Sequence, residues 1–112
     1  MSKSIITNYD KISTFSGLPA ECEHHVIFGG ALRKLADEDG LTIYLANHEH
    51  NMSPKGTIYQ IHGNPAAEKL SKMLGQMAWE RNYLIKKYGL PYENLSDEVR
   101  EAFKDRYGKS FL

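Results

Sequence analysis

All five histidines of this 112-residue chain fall between residues 24 and 62: His24, His25, His48, His50 and His62. Imidazole is the commonest neutral nitrogen ligand for metals and a base that titrates near neutral pH. The cluster therefore points to metal binding or proton transfer. His24 and His25 adjoin at the edge of a candidate strand, where neighbouring side chains point to opposite faces. Two roles follow: one imidazole on a metal, the other free to act as a base on the substrate side. His48 and His50 stand two apart, which on a helix separates them by about 200°. Only one of that pair joins His24 at a single ion. The competing reading makes these surface or internally satisfied histidines, with His-Glu-His-Asn at 48–51 a plain surface loop. His62 reads as structural, and Cys22 as a small, half-buried hydrophobe.

The elements that must position these residues can be read from the text around them. Val26-Ile27-Phe28 has strand chemistry and is broken by Gly29-Gly30. Leu41 to Leu45 is the clearest strand, so an antiparallel hairpin is expected from about residues 22–28 and 41–46. Between them, Ala31 to Asp37 suits one or two helical turns, and Asp37-Glu38-Asp39-Gly40 reads as a polar turn. A short helix can start near Asn47 and must stop before Pro54. Thr57-Ile58-Tyr59 has some strand character within a connector. Asn64 and Pro65 are a good N-cap and first helical residue, and the helix they start ends at Tyr88-Gly89. Leu70, Met73, Leu74, Met77 and Leu84 recur at helical spacing and predict its core face. Trp79 lies off that stripe, so it should be partly exposed or cover a junction. A last helix from about Leu95 to Tyr107, capped by Asn94 or Ser96, turns Val99 and Phe103 inward and ends at Gly108. Residues 1–20 read as an arm that packs loosely or against a partner, ahead of one domain over 21–112.

Composition narrows the function classes. Hydrophobic residues make up 41% and charged residues 25%, which excludes a disordered chain or a disulfide miniprotein. Lys+Arg and Asp+Glu are 14 each, so binding of nucleic acid by bulk charge is not expected. A single cysteine allows neither an internal disulfide nor a Cys-Cys zinc knuckle. No apolar run approaches a membrane span, and no signal-peptide core opens the chain, so a cytoplasmic setting without membrane contact is the default expectation.

Three segments taken together carry a resemblance. They are His24-His25-Val-Ile-Phe-Gly-Gly-Ala-Leu-Arg33-Lys34, then Asp39-Gly-Leu-Thr-Ile-Tyr-Leu45, then His48-Glu-His50-Asn-Met-Ser-Pro-Lys-Gly56. With the tail Tyr107-Gly-Lys-Ser-Phe-Leu112, the chain resembles the small phage and prophage HNH-type nucleases related to the RecA-dependent recombination-enhancement nuclease. The resemblance spans about residues 21–112. It implies an α+β fold: a small ββα-metal (His-Me finger) module with additional C-terminal helices. It also implies metal-dependent hydrolysis of DNA phosphodiesters in the cytoplasm of a bacterial host. In that scheme His24 and His50 match metal ligands and His25 the general base. Arg33 and Lys34 are placed to contact phosphate. The expected cofactor is one divalent ion, magnesium or manganese first and zinc as the alternative. DNA is the expected partner, with a recombinase as a further one.

The chain departs from the family pattern. Ala46 and Glu49 occupy the positions of a second cysteine pair, so no structural zinc knuckle is expected and packing alone would hold the finger. Glu49 also stands where a histidine is usual, and His48 is the substitute the sequence offers as a ligand. No central asparagine is present to orient the base. Two other functions therefore stand beside the nuclease: a non-catalytic DNA-binding or recombination accessory protein on the same fold, and a small protein-interaction domain with incidental histidines. The basic residues of the C-terminal half, Lys69 to Lys109, would form a DNA patch in the first two and a solvated face in the third.

Overall fold

The computed structural model describes residues 3–50, 60–89 and 96–112. Its order is β1 (Cys22–His25), α1 (Leu32–Asp39), β2 (Thr42–Leu45), α2 (Asn47–His50), α3 (Pro65–Tyr88) and α4 (Ser96–Tyr107). The class is α+β. β1 and β2 form a two-stranded antiparallel sheet in which His24 faces Ile43 and His25 faces Thr42. The expected Thr57–Tyr59 strand and the Asn94 cap fall outside the described residues.

The hairpin forms where expected, but β1 ends at His25, before the most strand-like text. Val26 and Ile27 are both fully buried, and a regular strand cannot turn two consecutive side chains inward. The chain bends after His25 and sends both into the core. That core joins them to Leu41, Ile43, Leu45, Ile61, Phe103 and Tyr107. The expected polar turn at Asp37–Asp39 is instead the last turn of α1, closed by Gly40 at φ 72°. Acidic residues oppose the negative end of a helix. Here they are held by partners: Asp39 accepts bonds from Trp79 Nε1 (3.0 Å), Tyr107 Oη (2.7 Å) and the Arg106 guanidinium (2.6 and 2.7 Å).

The ends of α3 are as expected: Asn64 accepts from the Ala67 N–H and Gly89 is the left-handed cap. Its buried face is as expected only at Leu84, which is buried. Leu70, Leu74 and Met77 are exposed, at 64%, 40% and 59%, whereas Ser71, Gly75 and Gln76 are buried. The reason is close approach. A Cβ on Gly75 would lie 2.6 Å from Ile27 Cγ1 and 2.8 Å from Val26 Cγ2. The helix runs so near the bend after β1 that small residues must face it. The two buried polar side chains are satisfied: Ser71 bonds to Val26 and His24, and Gln76 to Glu80, Ser110 and the Phe111 N–H. Trp79 is half-buried and covers the junction of α1, α3 and α4, stacking on Tyr83 and meeting Phe103 edge-on. The contrast drawn with Leu74 and Met77 is thus reversed. In α4, Val99 and Phe103 are buried as the spacing requires.

The arm is fastened to this body by hydrogen bonds. Ile5 N–H reaches the Gly40 carbonyl, Ser4 Oγ the Thr42 carbonyl, and Thr14 N–H the Tyr44 carbonyl. Ser13 Oγ donates to Glu49 at 2.5 Å.

Candidate metal and catalytic site

β1 separates its two histidines as strand alternation demands. His24 turns to the α3 side of the sheet and is fully buried. Its Nε2 lies 2.9 Å from Ser71 Oγ, and that hydroxyl donates its single proton to the Val26 carbonyl at 2.8 Å. Ser71 can then only accept from His24, which fixes the Nε2–H tautomer. Nδ1 keeps its lone pair, and it is one of two buried polar side-chain atoms, with Thr42 Oγ1, that lack a hydrogen-bond partner among the described residues. An unsatisfied buried acceptor costs about 1–3 kcal/mol.

Two further imidazoles stand beside the His24 ring. His24, His50 and His62 each offer a ligand atom within 4.8 Å of the others. Their ring centroids are 5.0 Å apart for His24 with His50 and with His62, and 4.6 Å for His50 with His62. His50 ends α2, a helix of four residues whose last carbonyls have no partner within it. The chain returning from residue 60 supplies them: Ile61 N–H bonds to Glu49 O at 2.9 Å and His62 N–H to His50 O at 3.0 Å. Capping α2 is what brings His62 beside His50. Glu49 secures the other end of the same helix. Its buried carboxylate accepts from the Ala46 N–H (2.9 Å), half of a capping box, and from Ser13. Burial pushes its pKa up, but the bonds from Ser13 and Ala46 outweigh that and hold it below the usual value. The start of α2 is therefore held by this carboxylate as well as by packing.

All three imidazoles are biased towards the neutral, ligating form. Burial first, then the neighbouring histidines, pulls His24 down to about 3. Burial, with His62, His25 and Arg33 nearby, takes His50 to about 4. Burial also lowers His62, although Glu68, 3.8 Å from its Nδ1, works against the shift. Glu68 Oε2 accepts from the Gly63 N–H at 3.2 Å, which keeps the carboxylate beside that ring.

His25 turns to the opposite face and is 7% exposed. Its Nε2 lies 3.0 Å from Asp37 Oδ1 and 3.7 Å from Glu23 Oε1. Glu23, His25 and Asp37 form a second group whose ligand atoms lie within 4.8 Å. With Nε2–H given to Asp37, Nδ1 is the nitrogen left to take a proton. A cleft of about 290 Å³ joins the two faces, lined by Glu23, His25, Phe28, Arg33, His50 and His62. Beside it, about 520 Å³ is lined by His25, Arg33, Lys34 and Asp37 among others.

Of the residues expected from sequence, the structure brings His24 and His50 together and sets His50, His25 and Arg33 around one cleft, with Lys34 at its margin. His48 is exposed on the first turn of α2 and is not part of the group. His62, read as structural, takes its place. Asp37 and Ser71 were missed. Asp37 had a signal, three consecutive acids before a helix-ending glycine, which calls for partners. Ser71 had none, since its role depends on α3 crossing the bend after β1. The chain matches no family model, no curated protein and no solved structure.

Proposed function

We propose that this protein is a metal-dependent phosphodiesterase acting on DNA, with the ββα-metal arrangement implied by β1, β2 and α2. The observation that carries the reading is the cluster of His24, whose buried Nδ1 has no hydrogen-bond partner, with His50 and His62, two imidazoles that line a cleft together with His25 and Arg33. A divalent ion held by His24, His50 and His62 would supply Lewis-acid stabilisation of the charge on the leaving oxygen. Three neutral nitrogen donors favour zinc or manganese over magnesium, which prefers oxygen ligands and retains its waters.

The chain's own groups account for the rest. His25 Nδ1 accepts a proton from the attacking water as its oxygen bonds to phosphorus and the P–O ester bond breaks. Asp37 holds the ring in the competent tautomer and stabilises the imidazolium that forms, the part a central asparagine would have played. Arg33 and Lys34, both exposed beside His25, receive the non-bridging phosphate oxygens and neutralise charge that grows in the transition state. Cleavage of a labelled oligonucleotide with Mn²⁺ or Zn²⁺ tests the assignment. His25→Ala should lose about 10²–10⁴-fold in rate while binding the ion normally. Asp37→Asn should lose part of that rate, again with the ion retained. Full activity of His25→Ala, at any metal concentration, would remove the base assignment.

A further inference from the structure

The basic residues of the C-terminal half do not form one patch. Lys87 pairs with Glu98, Arg100 with Glu80, Lys104 with Glu101, and Arg106 with Glu38 and Asp39. Lys69, Lys72, Arg81, Lys86 and Lys109 have no acidic partner among the described residues, and of these Lys69, Lys72 and Lys109 converge. The start of α3 and the C-terminal tail enclose a groove of about 500 Å³ lined by Glu68, Lys69, Lys72, Lys109, Ser110 and Phe111, among others. Lys72 Nζ stands 4.7 Å from the centroid of Phe28 and 5.9 Å from that of Phe111, and Lys109 Nζ stands 5.4 Å from Phe111. Both rings are half-exposed.

The groove adjoins the histidine cluster through Lys72, which stands over Phe28, and Glu68, which stands beside His62. Phe28 lies 4.7 Å from the His62 ring and 5.6 Å from His24, and it lines the catalytic cleft. Glu68, the carboxylate among the six groove residues named above, is turned to His62. Cations alternating with partly exposed aromatic rings match a single nucleic-acid strand, whose phosphates meet the lysines while its unstacked bases lie on the rings. A duplex keeps its bases stacked inside and offers the rings nothing.

We propose that the Lys69–Lys72–Lys109 groove, with Phe28 and Phe111, binds a single strand of DNA on the side of the scissile phosphate away from Arg33 and Lys34. The substrate is then single-stranded DNA or the single-stranded arm of a larger DNA. The inference rests on the nuclease reading for its direction, but its test does not require cleavage.

Binding of a labelled twelve-residue oligothymidylate is measured in EDTA by fluorescence anisotropy over a range of salt, against a hairpin duplex of equal charge. The native protein should prefer the single strand. The double variant Lys69→Ser/Lys109→Ser should bind it at least about tenfold more weakly. Its log–log salt slope should fall by about 1.4, two phosphate contacts at roughly 0.7 each. Unchanged ion affinity of the same variant, measured calorimetrically, shows that its fold is intact. Lys86→Ser, outside the groove, should change neither quantity. Equal binding of the duplex, an unchanged slope in the double variant, or an equal loss from Lys86→Ser would each overturn the proposal. A protein that binds the strand through these lysines yet cleaves nothing keeps the groove and loses the nuclease reading.

Discussion

The hydroxyl of Ser71 has one proton, and the Val26 carbonyl takes it. That fact fixes the tautomer of His24 and leaves Nδ1 free to ligate, so Ser71 is a positioning residue for the metal site. Ser71→Ala removes the acceptor for His24 Nε2–H and frees the ring to exchange tautomers. Outer partners of this kind are typically worth 10–100-fold in metal affinity. Calorimetric titration of Ser71→Ala should show a loss in that range. If Ser71 served packing alone, the variant would be less stable but would bind the ion as the native protein does. His25 shows the complementary case on the other face of the strand. There Asp37, a carboxylate, holds the ring through Nε2 and leaves Nδ1 to other partners.

At the scale of elements, the crossing of α3 over the bend after β1 organises the site, because it brings Ser71 to His24. Gly75 is what permits the crossing. Gly75→Ala gains about 1 kcal/mol of helix propensity but forces a methyl group against Val26 and Ile27, an overpacking that costs about 1–3 kcal/mol. The variant should be destabilised in urea and should lose ion affinity, since any outward shift of α3 carries Ser71 with it. A stabilised variant would show that the helix can move away freely. This crossing also explains what the sequence hid. The caps of α3, at Asn64 and Gly89, are local chemistry and were legible, as was Leu41–Leu45 as a strand. The face of α3 was not, because hydropathy ranks Leu70, Leu74 and Met77 above Ser71 and Gly75, and only tertiary proximity reverses the order. His24, His25 and His50 could be named from type and spacing. The choice of His62 over His48 depends on two backbone hydrogen bonds between segments more than ten residues apart, which no spacing rule records.

Across the whole molecule, one buried imidazole and two half-buried ones make stability depend on pH. His24 titrates at about 3 in the folded protein against an ordinary 6.5, and His50 at about 4. Between those values the unfolded chain binds more protons, so stability present above pH 6.5 is lost as pH falls towards 3. His24 alone contributes a slope of about 1.4 kcal/mol per pH unit in that window. The thermal midpoint should therefore fall steadily from pH 6.5 to 4. Zinc at pH 6.5 should raise it, since an ion that binds only the folded protein stabilises by mass action. A flat midpoint over that range would contradict the neutral cluster. Among the described residues no helix is long and apolar enough to cross a membrane. The most direct test of the account is a calorimetric zinc titration of the native protein beside His24→Ala, His50→Ala, His62→Ala and His48→Ala. The account predicts one ion per chain, a loss of at least about a hundredfold in affinity for each of the first three variants, and native affinity for His48→Ala. A native protein that takes up no ion, or a His48→Ala variant as impaired as His62→Ala, would contradict it.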